Sequence, residues 1–449
     1  MKNRILLPFG FAALILTGAV LLAMPVANTS GHWMDFADAM FTSCSAVCIT
    51  GLSVIDPGEA LTRCGQIILM VLTQIGCVGI MMLGTFVFAL VGRRMSIADS
   101  RTVGVEYGII DRGGLRHLAL WVVFSMLAIE AMGAWGLWRT LPEAFGTGSE
   151  RAFQAVFLSM MSFSNAGFSI MPGSVEALHA APVATLVSCA LIITGGLGFL
   201  VLHNLCTIRF WRRNLNKRGR MNLHTRVVLR MTCYLTAMAF VLFIMFELGD
   251  GGVLARFDTW GGKLSVALFH SVTPRTAGLA IVPVEDLHPA TQFVDMVLMF
   301  IGGGTGSAGG GIKMTTFFVF VCSLAAIYHG RKDVTVHKRT LPVDIVRESI
   351  VITFLYAAAI AVCATLLLAT ENGRAGLSPG RIIFETVSAI TTTGLSVGDT
   401  TRNLSGAGRT IICLAMFAGR MGALTIVLLI AGREETASIR YPKEEIAVG

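Results

Sequence analysis

Ile49-Thr50-Gly51-Leu52-Ser53 decides how this chain is read, because the same short stretch returns three more times. The later copies are Asn165-Ala166-Gly167-Phe168-Ser169, Thr276-Ala277-Gly278-Leu279-Ala280 and Thr392-Thr393-Gly394-Leu395-Ser396. The central glycines stand 116, 111 and 116 residues apart in a chain of 449, close to a quarter of its length each time. Each copy follows a segment that opens on Phe (Phe41, Phe157, Phe269, Phe384), nine or ten residues before its Gly, and each lies between two long apolar runs. Periodic self-similarity has to be settled first, since one supersecondary unit is then read four times over.

Composition places those units in a bilayer. Hydrophobic residues make up 54% of the chain and charged residues 14%, against roughly 45–50% and about 25% in soluble domains. Mean hydropathy is +0.72. A polar surface for two or three soluble domains cannot be drawn from this composition. Ile5 to Val26 resembles a signal h-region, but it is too long, lacks a small-residue cleavage site and is followed by many similar runs. It reads as a retained first transmembrane helix. The ten cysteines lie mostly inside apolar runs, with no CxxC and no Cys/His spacing that suits zinc, and read as small packing residues.

Runs long enough to cross a bilayer core fall near 5–26, 66–91, 117–138, 182–208, 228–248, 290–328, 350–369 and 409–431. Within each pair lies a shorter, less hydrophobic segment carrying one of the repeated glycines. The expected fold is an all-α integral membrane protein: four parallel helix–pore-loop–helix repeats, with eight transmembrane helices and four re-entrant pore helices around a pseudo-fourfold central pore. The repeats are expected at 1–92, 93–213, 214–335 and 336–449. Loop backbone at membrane depth is tolerated only where protein buries it or it lines a water-filled cavity.

Charge fixes the orientation. Basic residues cluster at Arg93 to Arg116, at Arg209 to Arg226 with no acid between them, and at Arg331 to Arg347; with both termini these clusters hold 22 of the 35 Lys and Arg. The positive-inside rule makes those linkers and both termini cytoplasmic, in a multi-pass protein of the cell membrane. The net charge of +8 is then a matter of topology and calls for no nucleic acid. The cluster at 209–226 could also meet anionic membrane lipid or a cytoplasmic partner. Two full spans per repeat make the copies parallel, unlike the inverted repeats of many secondary transporters, so all four glycine loops descend from the outer face to one constriction.

A potassium-type filter aims consecutive backbone carbonyls at the pore axis in place of an ion's hydration shell. Glycine suits it, because it adopts φ > 0 without steric cost and permits close approach. The expected filter comprises Ile49, Thr50 and Gly51; Asn165, Ala166 and Gly167; Thr276, Ala277 and Gly278; and Thr392, Thr393 and Gly394. Potassium would be held by backbone carbonyls alone. No copy carries a TVGYG string, which points to a shorter and less stringent filter.

Two further features belong to the path. The sixth span is interrupted by Gly302-Gly303-Gly304-Thr305-Gly306-Ser307-Ala308-Gly309-Gly310-Gly311 before Ile312-Lys313. Seven glycines in ten residues, at roughly 0.8–1.0 kcal/mol each relative to Ala, end an α-helix. The run resembles a phosphate-cradling loop but lacks its Gly-Lys-Ser/Thr, since Gly311-Ile312-Lys313-Met314 stands there. A flexible intramembrane gate fits better, with Lys313 reaching the same cavity or snorkelling. Arg420 lies in the last span between apolar neighbours. A charge at that depth is costly and faces a cavity or a partner. It either donates to carbonyls of the 302–311 loop and latches it, or forms a helix-packing ion pair. Glu130 reads as satisfied between helices, and Arg275 and Glu385 as bracing the filter from behind.

With those residues in hand, the chain resembles the Trk/Ktr/HKT superfamily of potassium transporters over essentially its whole length, and most of all the membrane subunit of Ktr systems, because the first repeat begins at the N-terminus. The family's filter glycines fall on Gly51, Gly167, Gly278 and Gly394, its intramembrane gating loop on Gly302 to Gly311, and its arginine on Arg420. A Ser at the first filter position goes with sodium selectivity in plant relatives; Gly at all four implies potassium. Asn165-Ala166 departs from the commoner Thr. The resemblance also implies a homodimer with one pore per chain and a cytoplasmic ring of nucleotide-binding regulatory subunits of the KtrA or TrkA type. It implies K⁺ as the transported ion and no organic cofactor on this chain, with Na⁺ left open as an activator. The leading expectation is a gated potassium uptake pore driven by membrane potential. The alternative is a secondary transporter coupling K⁺ to Na⁺ or H⁺, which needs a second ion site. A membrane enzyme finds no HExxH, no Ser/His/Asp set and no clustered carboxylates in its favour.

Overall fold

Long apolar runs form helices, and every repeated glycine stretch falls in a loop that follows a short helix. The computed structural model describes residues 2–79, 112–142, 146, 148–171, 178–179, 181–207, 221–249, 251–331, 333–336 and 339–422, with backbone only at 2–7 and 112–118. The first unit comprises α1 (Lys2–Ala23), the short α2 (Phe36–Val47) and α3 (Arg63–Val78). The second has α4 (Arg112–Thr140), the short α5 (Ser149–Ser164), and α6 (Pro182–Leu197) continued by α7 (Phe199–Thr207). The third has α8 (Leu223–Glu247), the short α9 (Trp260–Val272), α10 (Pro289–Ile301) and α11 (Met314–Tyr328). The fourth has α12 (Val343–Thr370), the short α13 (Pro379–Ile390) and α14 (Gly406–Met421). A two-residue antiparallel hairpin pairs Thr335 with Thr340 and Val336 with Arg339 between the last two units.

Local sequence explains where the helices begin. Thr62, Thr259, Ser378 and Ser405 accept backbone N–H groups two or three residues into α3, α9, α13 and α14, which satisfies donors that the first turn leaves free. Pro182, Pro289 and Pro379 open their helices, where the missing N–H costs nothing. Ala119–Thr140, Leu223–Glu247 and Val343–Thr370 are each long and apolar enough to cross a bilayer, and α6 with α7 makes a fourth such span bent by 98°.

Packing closes the four units into a ring. Each short helix packs against the helices of its own unit, α9 meeting α10 through the His270–Asp295 pair, and the helix after each loop also packs on the short helix of the next unit: α3 on α5, α6 on α9, α10 on α13, and α14 back on α2. The Phe that opens each repeat motif, Phe41, Phe157, Phe269 or Phe384, is buried in its short helix. On the outer rim of the closing seam Arg409 donates to Asp38 at 2.7 Å.

One expectation needs correcting. The second span of the second unit, read as continuous, is bent by 98° at Gly198. α3, α6, α10 and α14 each end at a glycine with positive φ: Gly79 at 78°, Gly198 at 94°, Gly302 at 66° and Gly422 at 78°. A right-handed helix cannot continue through a left-handed residue, so each of these four helices stops there. The continuations after Gly79 and Gly422 lie outside the described residues. So do the basic clusters at 93–101 and 209–220, Arg433, Arg440 and Lys443, and the boundaries expected at 92/93 and 213/214.

Candidate functional site

The four glycine loops meet at the centre of the ring, and they share one backbone conformation. Ile49, Asn165, Thr276 and Thr392 have φ of 57°, 55°, 72° and 49°, and the glycines two residues later have φ of 94°, 72°, 70° and 91°. The intervening residue is in the ordinary negative-φ region in all four. This alternation aligns the loops as their glycines do: Thr276 matches Ile49, Asn165 and Thr392, while Thr50 and Thr393 match Ala166 and Ala277. Alternating handedness turns successive carbonyls to one side, where an extended strand would point them to opposite sides. Short bonds hold the loops up. Thr50, Ala166 and Thr393 donate N–H to carbonyls of Ser45, Met161 and Ser388 five residues back, at 2.8, 3.0 and 2.8 Å. Gly51 and Gly394 donate to the hydroxyls of Ser45 and Ser388, at 3.0 Å each.

The glycines form a closed ring in chain order. A Cβ on Gly51 would stand 2.5 Å from the Ala166 carbonyl oxygen and 2.7 Å from Gly167 Cα; one on Gly167 would stand 3.2 Å from Gly278 Cα. A Cβ on Gly278 would stand 3.1 Å from Gly394 Cα and overlap the Thr393 carbonyl; one on Gly394 would stand 3.1 Å from Gly51 Cα and overlap the Thr50 carbonyl. Glycine is therefore required at all four positions twice over, by φ and by space. Around the ring the Thr50, Thr276 and Thr392 hydroxyls and both polar atoms of the Asn165 amide are buried without a hydrogen-bond partner. Buried polar groups are seldom left so, and a cluster of them on one axis is a place suited to ions or water.

Directly against this ring lies the 302–311 loop. Gly303 donates to the Gly310 carbonyl and Ile312 to that of Phe300, at 3.2 Å each, folding the segment back on itself. Gly304 donates to Gly196 at 2.8 Å, and Phe199 donates to Gly306 at 2.9 Å, which joins the loop to the bend between α6 and α7. A Cβ on Gly309 would overlap the Thr276 hydroxyl, and one on Gly310 would overlap the Thr392 hydroxyl and the Thr391 carbonyl. Thr305 shares a hydrogen bond with Thr315 at 2.5 Å, and the Ser307 hydroxyl is buried without one. Lys313, at φ 80°, bonds the Gly309 carbonyl.

Arg420 reaches the loop. Its Nη1 donates to the Ala308 carbonyl at 2.8 Å and its Nη2 to the Gly76 carbonyl at 2.5 Å. Among the described residues it has no carboxylate partner, so the ion-pair alternative is not what the geometry shows. Gly76 was not legible as a site residue, although a signal was present. Gly76, Gly195 and Gly419 each stand three residues before a helix-ending glycine, and a Cβ on any of them would overlap the carbonyl of Val47, Phe163 or Ile390, four residues before the ring glycine. This repeated G-x-x-G marks where the second helix presses on the short helix, and Arg420 occupies its second position in the fourth unit.

The other charged residues lie off the axis. Glu130 accepts from Gln74 Nε2 at 2.7 Å between helices. Glu385 accepts from Ser396 at 2.8 Å and from Thr401, tying α13 to the segment that leaves the fourth loop. Arg275 is buried beside Gly196, Gly303 and Met314, so it meets the loop as well as the back of the ring. His270 and Asp295 form a buried pair at 3.0 Å, stacked under Phe243, which the sequence did not single out.

Fold and ring together define a multi-pass helical membrane protein whose polar centre is made of loops from four like units. Comparison with known proteins gives that class a family. The TrkH cation transport protein family model matches residues 13–440, and the chain belongs to that family. It is 34% identical to Ktr system potassium uptake protein B of Vibrio alginolyticus over 450 residues, covering 100% of this chain and 95% of that protein. It is 33% identical to the protein of the same name in Bacillus subtilis, covering 99% and 96%. It is 32% identical to the potassium/sodium uptake protein NtpJ of Enterococcus hirae, covering 100% and 99%. The crystal structure of the potassium transporter TrkH from Vibrio parahaemolyticus shares the fold with a TM-score of 0.73 at 18% identity, over 95% of this chain and 84% of that one.

Proposed function

We propose that the chain is the pore-forming subunit of a Ktr/Trk-type potassium uptake system. In this reading K⁺ passes through a filter of four loops and is gated by the 302–311 loop with Arg420. The observation that carries it is the closed glycine ring in which four loops repeat the same alternation of φ. Carbonyls so presented replace the hydration shell of a dehydrated cation, and the unpaired hydroxyls of Thr50, Thr276 and Thr392 add polar lining. Membrane potential drives the ion inward at about 2.3 kcal/mol per charge per 100 mV, so this chain needs no nucleotide hydrolysis of its own. The loop packed against Thr276 and Thr392 closes the path, and Arg420 fastens it. The four units are the four repeats, with the termini on the cytoplasmic side. A homodimer and a cytoplasmic nucleotide-binding ring belong to the same proposal, supported by the likeness to proteins named as one component of a Ktr system.

The test is tracer K⁺ uptake into proteoliposomes under an imposed potential, comparing the native chain with Gly394→Ser and adding Na⁺ as competitor. Potential-driven entry that loses K⁺ preference in the variant is expected. Coupled transport is the second reading, favoured by one relative named for both potassium and sodium. Flux that requires an imposed Na⁺ or H⁺ gradient and ignores the glycine change would establish it instead.

A further inference from the structure

The fourth unit contains a cavity of about 260 Å³ between α12, α13 and α14. Its walls include Tyr356, Cys363 and Leu366 from α12, Ile390 from α13, and Leu414 and Gly419 from α14. The one hydroxyl among these, on Tyr356, is already spent on the Gly419 carbonyl at 3.2 Å. A water needs two to four polar partners, and an engineered apolar cavity of about 150 Å³ stays dry and takes apolar guests. This space therefore suits hydrocarbon. Its mouth is continuous with the lipid-facing belt of the molecule: Leu366 is 49% exposed and Leu414 64%, beside Val362 at 59%. Its floor is buried, with Ile390 at the C-terminus of α13, four residues before Gly394.

We propose that this cavity is a binding site for an acyl chain of a bilayer lipid, and that its occupancy controls how firmly the loop latch is held. The second half of this inference rests on the gated-pore reading; the first does not. The physical link is short. Gly419 lies at the cavity wall and presses on the Ile390 carbonyl on its other side. The next residue is Arg420, whose guanidinium bonds Ala308 and Gly76. For α14 to withdraw Arg420 from the loop, its Gly419 segment must leave Ile390, and the cavity is free volume into which it can move. An acyl chain lodged there fills that volume, holds α14 against α13 and keeps the loop fastened. An empty cavity lets the latch release.

The experiment uses full-length protein in vesicles of phosphatidylcholine bearing a photoreactive diazirine midway along one acyl chain, followed by peptide mapping. The expected result is adducts on the buried Ile390 and on Tyr356, which lipid reaches only from inside the cavity, in addition to outward residues such as Phe354. Cys363→Trp fills the space and should abolish the Ile390 adduct while leaving that at Phe354; Cys363→Ser should keep both. In the same vesicles Cys363→Trp should lower K⁺ flux, because the filled cavity holds the latch permanently. Adducts confined to the outward faces overturn the site. Disulfide crosslinks between copies carrying Leu414→Cys, formed with no lipid adduct on Ile390, assign the cavity to a second copy of this chain and also overturn it. Labelling at Ile390 with flux unchanged by Cys363→Trp keeps the lipid site and overturns its control of the latch, and absence of K⁺ flux in every form instead overturns the pore reading.

Discussion

Removing Arg420 tests the gate most directly. Of its two hydrogen bonds, the one to Ala308, at 2.8 Å, reaches the 302–311 loop; the one to Gly76, at 2.5 Å, joins two helices of the frame. A hydrogen bond from a charged donor is worth about 1.5–3 kcal/mol net. In the proposed gate, losing the Ala308 bond therefore shifts the closed-to-open ratio by about 10- to 150-fold, at 1.4 kcal/mol per tenfold. The gain in open probability is bounded by how closed the native pore is, since a population already half open cannot rise more than about twofold. Single-channel recording in planar bilayers separates this from an electrostatic effect, because in the proposed pore Arg420 also places a positive charge beside the cation path. Arg420→Ala should raise open probability with little change in unitary current, and Arg420→Lys, which keeps the charge and a donor but not the two-pronged geometry, should fall between. If unitary current rises in Arg420→Ala while open probability stays put, Arg420 is a charge barrier and the latch argument is wrong.

The remaining predictions concern the ring and its supports. Gly278→Ala forces a Cβ into φ 70° and onto the Thr393 carbonyl, so K⁺ over Na⁺ preference should collapse. Gly330→Ala, at φ 63° with open space around it, bears only the left-handed strain of about 1–2 kcal/mol and should conduct selectively; equal behaviour of the two variants would remove the steric argument. Asp295→Leu leaves the buried His270 ring nitrogen without the carboxyl it bonds, and an unsatisfied buried polar group costs about 1–3 kcal/mol. Thermal unfolding in detergent should show a clear fall in midpoint, partly restored by pairing it with His270→Phe. Arg409 and Asp38 close the ring at the rim with side chains 28% and 27% exposed, so a double-mutant cycle should return no more than about 1 kcal/mol, shrinking with salt. A larger coupling would mean that the seam contributes more to ring closure than its exposure implies.

Much of this architecture is local information and could be read from the chain. The four glycines announce themselves by period, the bilayer by composition, and the interruption after Ile301 by seven glycines that no helix accommodates. The helix ends at Gly79, Gly198 and Gly422 were not legible, because two or three glycines inside an apolar run cost a helix only about 1 kcal/mol each. Whether the helix continues or stops there depends on what it packs against. In three of the units that is a short-helix carbonyl, pressed so closely by Gly76, Gly195 or Gly419 that no side chain fits between.

What the sequence determined by itself is therefore the unit: its period, its burial pattern and the residue types that a left-handed, crowded loop demands. Tertiary structure decided everything that depends on closing four units into a circle. It set the left-handed backbone shared by Ile49, Asn165, Thr276 and Thr392, which no common residue type announces. It also set the partners of Arg420, one lying 112 and the other 344 residues away in the chain. A long cationic side chain at membrane depth must find acceptors, but which carbonyls come within reach is settled only when α14 packs back onto α2.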